Sequence, residues 1–132
     1  MRSVLSILAL AGIAVVLGCK GTYLARYDPN PKQESEKVIL LDSKLKSIRI
    51  VREVPPQRLN GQQLQIQVLL VNTDDEDLRT DVKVQFLDVD GGILEEGTWE
   101  PVIFQRSMER SIKKNSISPE AADYRISIRR LE

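Results

Sequence analysis

Histidine is absent from this 132-residue chain and cysteine occurs once. The first absence leaves no side chain that ordinarily titrates near neutral pH, and the second leaves no internal disulfide. Together they remove most nucleophile–base pairs, the usual zinc sites and thiol redox chemistry. Charge of one sign is missing too, since 19 Lys and Arg offset 19 Asp and Glu. Losing Arg2 with the leader described below leaves 18 against 19. A net charge near −1 gives no reason to seek nucleic acid, whose binders carry a basic footprint. Aromatics are few: one Trp, two Phe and three Tyr. The folded part must therefore rest on its apolar core. Carboxylate-only catalysis and calcium binding are the chemistry left open, and no cofactor is expected.

What is present begins at the N-terminus. Met1-Arg2 precedes an almost unbroken apolar run over residues 4–17, which ends in Val16-Leu17-Gly18-Cys19. The run has the length of a signal-peptide core and is too short to span a bilayer, which takes roughly 20 residues. The segment resembles a bacterial lipoprotein signal, with Val16 three before the cysteine and the small Gly18 at the cleavage point. That resemblance implies cutting between Gly18 and Cys19, acylation of the Cys19 thiol, and a mature chain starting at Cys19. An ordinary secretory leader with an incidental cysteine, or a buried N-terminal helix, are the other readings. Lipoproteins of this type carry more than one acyl chain, enough for stable attachment where a single chain is marginal. Lys20 stands where an Asp typically retains such proteins at the inner membrane, so the expected site is the periplasmic face of the outer membrane in a two-membrane bacterium.

Residues 20–37 are polar, have no apolar period and carry Pro29 and Pro31. With Cys19 they read as a flexible linker of residues 19–37, spanning about 25 Å on average and about 60 Å when stretched. Tyr23 and Tyr27 can rest at lipid headgroups or simply be solvated. From residue 38 to the end, short apolar alternations are broken by turns. The first covers residues 38–41. The next, over residues 45–54, is stopped by Pro55-Pro56. Asn60-Gly61 is a turn pair, because both tolerate positive φ. Leu64, Ile66, Val68 and Leu70 then alternate with polar neighbours, and Leu69-Leu70-Val71 is apolar on both faces. Val82, Val84 and Phe86 share one face, and Asp88-Val89-Asp90-Gly91-Gly92 reverses the chain into Ile93-Leu94. Trp99, Val102 and Phe104 form another extended stretch, and Met108, Arg110 and Ile112 alternate after it. Ser118-Pro119-Glu120-Ala121-Ala122 predicts one helical turn capped by Ser118. Tyr124, Ile126 and Ile128 complete a last strand. About seven strands at such spacing predict an all-β fold: an antiparallel, immunoglobulin-like β-sandwich over residues 38–132, behind the signal peptide of residues 1–18 and the linker.

These residues resemble the YcfL-like family of bacterial periplasmic lipoproteins, whose role is uncharacterised. The likeness rests on Ile66-Gln67-Val68-Leu69-Leu70-Val71-Asn72 and on Val82-Lys83-Val84-Gln85-Phe86-Leu87-Asp88-Val89-Asp90-Gly91-Gly92. Trp99 follows, and then Ala122-Asp123-Tyr124-Arg125-Ile126-Ser127-Ile128-Arg129. It covers most of residues 38–130. Members typically carry an aromatic-rich strand before the Asp-x-x-Gly turn; here Val84-Gln85-Phe86-Leu87-Asp88 replaces aromatics with aliphatics. The resemblance implies a β-sandwich on the periplasmic face of the outer membrane. Genes of the family tend to lie near those of lipoproteins that regulate peptidoglycan synthesis.

Several residues are candidates for chemistry, each with a plainer reading. Asp74-Asp75-Glu76-Asp77, with Asp81 nearby, offers clustered oxygens for calcium, although Asp also favours turns. Asp88, Asp90 and Gly91 superficially resemble a calcium loop, but eleven residues on from Asp88 stands Trp99 rather than a bidentate Glu. Glu95, Glu96 and Glu100 are a carboxylate set for glycan cleavage, though adjacent strand residues point to opposite faces. Trp99 and Phe104 can form a partner-contact ledge or fill the core. Lys113-Lys114 and Arg129-Arg130 can meet anionic lipid or a partner, or be a solvated face. Any open sandwich also has edge strands able to accept a partner's strand. The expectation is a non-enzymatic, lipid-tethered module that binds another envelope component, a protein. The alternatives are a carboxylate-dependent cell-wall glycan hydrolase and a calcium-stabilised structural module.

Overall fold

The computed structural model describes residues 35–132; the expectations for residues 1–18, Cys19, Tyr23 and Tyr27 lie outside them. Eight strands follow in order: β1 (Val38–Leu40), β2 (Ile48–Leu59), β3 (Gln63–Asn72), β4 (Leu78–Leu87), β5 (Ile93–Glu96), β6 (Glu100–Phe104), β7 (Glu109–Asn115) and β8 (Asp123–Arg130). A single 3-10 turn, Ser43–Leu45, joins β1 to β2, and no α-helix occurs among the described residues. No helix there is long and apolar enough to cross a membrane.

The strands form two sheets. One runs β1-β8-β4, with β5 and β6 both pairing to β4; the other runs β2-β3-β7. The alternation of β3 explains the arrangement: Leu64, Ile66, Val68, Leu70 and Asn72 are buried, and the residues between them face outward. Apolar residues two apart on a strand share a face, so one side of this sheet must be covered. The cover comes from Val82, Val84 and Phe86 of β4 and Tyr124, Ile126 and Ile128 of β8, joined in the core by Val38, Leu45, Ile48 and Phe104. The β-sandwich expected from the sequence is therefore present.

Several local expectations are corrected. Pro55-Pro56 does not end a strand, because β2 continues to Leu59. It does so as an edge strand whose register against β3 shifts between Ile50 and Arg52 and again between Val54 and Gln57. An edge tolerates proline, since the missing N–H need not serve the ladder. The sheet is not wholly antiparallel either: β1 lies parallel to β8, with Val38 opposite Ile126 and Leu40 opposite Ile128. Leu69 and Val71, apolar like Leu70, nonetheless sit on the outer face, half-buried. Ser118 caps a turn and not a helix, its hydroxyl accepting from the Glu120 N–H at 3.2 Å. Asn60 and Gly61 do take the positive φ expected of them, 51° and 71°.

Candidate functional site

One side of the sandwich is not closed. β7 is the last strand of its sheet, and β5 and β6 occupy the last position of the other. Between these edges lies a cleft of about 450 Å³. Its floor is apolar, made by Val82, Val84 and Phe86 of β4, Val102 of β6 and Ile112 of β7. Local sequence explains the opening. β5 and β6 pair with different halves of β4, Gln85–Leu87 and Leu78–Val82 respectively, and residues 97–99 bridge them. Gly97 lies against the backbone of β4 so closely that a Cβ there would stand 2.1 Å from the Val84 carbonyl oxygen. Opposite, every residue of β7 except Ile112 and Lys114 is exposed. Neither edge therefore carries the bulk to cover the floor.

The rim is charged, and its carboxylates are engaged. Glu100 pairs with Lys114 at 2.6 Å. Glu95 accepts from the backbone N–H of Ile117 at 2.8 Å and of Ser118 at 3.2 Å, which fixes the loop after β7. Glu96, next to it, turns to the outer face instead, where it accepts from Lys83 and from the Gln85 amide, both at 2.7 Å. Those two hydrogen bonds hold the Glu96 carboxyl below the ordinary glutamate range. Glycoside cleavage needs one carboxyl displaced the other way, to act as an acid near neutral pH. On the β7 rim, Arg110 reaches across to the Ile103 carbonyl at 3.4 Å. Lys113, exposed, has no ion-pair or hydrogen-bond partner among the described residues.

The two aromatics expected to share a ledge are separated. Phe104 is fully buried in the core. Its carbonyl accepts from the Asn72 amide at 3.0 Å. Trp99 lies instead on the outer face of the β4–β8 pair, with the Arg129 guanidinium 4.1 Å and the Lys83 ammonium 4.9 Å from its ring centre. Arg129 also donates to Asp81 at 3.1 Å. Trp99 is thus neither core nor a bare ledge, but a partly buried plate over paired charges.

The acidic cluster is dispersed into backbone work. Asp77 accepts from the Arg106 N–H at 2.9 Å, and Asp74 from the Asp75 N–H at 2.8 Å. Asp81 faces Arg129 across the sheet. Asp88 builds its own turn, its Oδ1 accepting from the N–H groups of Asp90 and Gly92, both at 2.9 Å. Among the described residues no group of three or more Asp, Glu, Cys or His is placed to hold a metal ion. The two basic pairs divide as well: Lys114 and Arg129 are in ion pairs, and Lys113 and Arg130 are exposed.

Sequence reasoning missed the cleft and the buried Asn72. The cleft arises from strands that fail to pair, for which periodicity holds no signal. Asn72 had one: it continues the core-facing series of β3 where an apolar residue was due.

Comparison with solved structures gives two likenesses. Campylobacter jejuni cj0090 is 23% identical with a TM-score of 0.59, over 74% of this chain and all of that one. A DUF1425 family member from Shewanella sp. pv-4 is 16% identical with a TM-score of 0.57, over 64% of this chain and 79% of that one. At these identities both show a shared fold. No curated protein matches the chain. Residues 37–130 match the family model described as protein of unknown function DUF1425, and the chain belongs to that family.

Proposed function

We propose that this protein is a lipid-anchored, non-catalytic binding module of the bacterial envelope, of the YcfL-like kind. Cys19 carries its anchor at the periplasmic face of the outer membrane, and an envelope protein occupies the open side of the sandwich. The observation that carries this reading is the cleft, apolar at its floor and charged at its rim, with its carboxylates committed to partners. Apolar clefts with a few placed polar groups are the usual form of a recognition site. A hydrolase would instead need a free pair of acids at that rim.

The direction of the tether supports the same reading. The chain enters the domain at β1, and the cleft opens beside β5 and β6, at the far edge of the same sheet. Three strand spacings of about 4.8 Å separate those edges. The site thus stands on the side of the domain away from its entry strand, free to meet a partner. Such tethering raises the effective concentration at membrane-associated targets, an advantage that needs no contact of its own.

The test is a photoreactive residue at Thr98, on the cleft, in the full-length chain in cells, with Leu41 at the β1 end as control. A discrete adduct from Thr98 alone, lost when Val84 is changed to Asp to charge the cleft floor, is the expected result. Equal adducts from both positions, or none from Thr98, would overturn the cleft as the binding face.

A further inference from the structure

Apolar side chains seldom sit at the tip of a tight turn, because Gly, Asn, Asp, Ser and Pro meet its backbone demands better. Two do so here. Val89, in the turn between β4 and β5, is 83% exposed, and Ile117, in the loop after β7, is 84% exposed. The exposed apolar side chains at the opposite end of the sandwich, Leu41, Ile103, Met108 and Leu131, lie between 40% and 57%. Both segments are held in place. The Gly91 N–H donates to the Asp88 carbonyl at 3.1 Å and the Asp88 N–H to the Gly92 carbonyl at 2.9 Å, which closes the Val89 turn. The loop of Ile117 is tied to β4 by the Ala122 N–H on the Leu87 carbonyl at 2.8 Å, and Glu95 of β5 holds the Ile117 N–H. Ile93, half-exposed, lies opposite Leu87, between these ties. All three sit at the end where the chain enters: Lys37 precedes β1 and pairs with Asp123, and Asp123 lies opposite Leu87.

We infer that this end of the sandwich docks on a zwitterionic lipid surface through Val89, Ile93 and Ile117. The inference rests on the proposed anchor at Cys19 and adds an orientation to it. β4 lies two strand spacings from β1, about 10 Å, so the Val89 turn stands close to the point where the tether arrives. The opposite end is one strand length further, about 26 Å for the eight residues of β8. The anchored end therefore meets the membrane first, and apolar side chains held there leave water as it does. Charge at this end selects the surface. Asp88 and Asp90 flank Val89, and Glu120 shares the loop of Ile117. Lys37 is paired with Asp123, and the Arg58 guanidinium donates to the Gln62, Pro119 and Ala121 carbonyls. An anionic surface repels such a set of acids, whereas a zwitterionic one does not. Docked in this way, the strands stand on the membrane, and the cleft between β7 and the β5–β6 edge opens sideways along it. Contacts too weak to hold a free protein suffice to orient one that is already attached.

The test uses the full-length, lipid-anchored protein in phosphatidylcholine vesicles that carry a nitroxide lipid. Val89→Cys, Ile117→Cys and, at the far end, Met108→Cys each take an environment-sensitive fluorophore, the Cys19 thiol being acylated. Emission from the Val89 and Ile117 positions should shift to shorter wavelength and be quenched by the nitroxide, and that from Met108 should do neither. With the fluorophore on Ile93→Cys, the pair Val89→Asp and Ile117→Asp should cut the ratio of docked to undocked protein about tenfold or more. Phosphatidylglycerol added to the vesicles should reduce the quenching. Flotation of the protein with the vesicles reports the anchor separately. Flotation with no quenching at Val89, with equal quenching at Val89 and Met108, or with quenching that rises with phosphatidylglycerol would overturn the docking and leave the anchor standing. Loss of flotation would remove both.

Discussion

The side-chain amide of Asn72, fully buried, donates to the Phe104 carbonyl at 3.0 Å and to the Glu76 carbonyl at 2.8 Å. Its oxygen accepts from the Asp74 N–H at 3.0 Å. One residue thus ties the end of β3, the turn after it and the end of β6. Asn72→Leu orphans several of those groups, and each buried orphan costs about 1–3 kcal/mol. The expected fall in melting temperature is on the order of 10–20 °C for a domain this size. Gly97→Ala forces a Cβ against the Val84 carbonyl. It should destabilise by about 1–3 kcal/mol, read from the urea midpoint. Asp123 and Tyr124 give opposite pH signatures. Burial alone would raise the Asp123 carboxyl, but the Lys37 ammonium and the Tyr124 N–H hold it below its usual range. That contribution is present above about pH 4 and is lost as pH falls through the lowered value. Asp123→Asn should therefore flatten the acid side of a melting profile. Burial first, and then the charges of Glu53 and Asp123, push the Tyr124 phenol up to about 12. Its contribution is complete below about pH 10 and disappears as pH rises toward that value, so Tyr124→Phe should soften the alkaline decline.

Among the elements, the connection between β5 and β6 is the one whose sequence says least and whose structure says most. Trp99 is the chain's single tryptophan. It holds this connection against the outer face through Arg129 and Lys83. Cation–ring contacts contribute about 0.5–2 kcal/mol, and truncation loses packing besides. Trp99→Leu should destabilise by about 1–3 kcal/mol. Arg129→Ala should shift Trp99 emission to longer wavelength before any loss of strand signal. The legible elements were those with a two-residue apolar period. β3 is read directly from Leu64, Ile66, Val68 and Leu70, and β8 from Tyr124, Ile126 and Ile128. Residues whose meaning depends on a neighbouring strand were misread. Pro55 and Pro56 mark a strand's end in the interior of a sheet but not at its edge. Val38-Ile39-Leu40 gives a strand but not its parallel partner, which lies 88 residues on in the register Val38 to Ile126. Glu95 and Glu96 turn to opposite faces of β5, as adjacent strand residues do, Glu95 toward the loop after β7 and Glu96 toward Lys83 and Gln85. Their partners, like Lys114 for Glu100, come from separate elements and leave no mark in the local sequence.

For the whole molecule, the proposed attachment and the proposed recognition are separable by mutation. Cys19→Ser should release the protein from the membrane fraction without changing the melting of residues 35–132. Persistent membrane association would remove the anchor on which the proposed function depends. The parallel pairing of β1 with β8 has one more consequence. The first strand cannot take its place until the last is available, and β8 is also the central neighbour of β4. A chain emerging end first, from a ribosome or through a membrane pore, therefore has no partial sheet of this kind to complete early. Closing so long a loop is an entropic barrier that local contacts do not lower. The β1–β8–β4 sheet can close only once its C-terminal strand is present, whereas the β2–β3 and β4–β6 pairings need none of it.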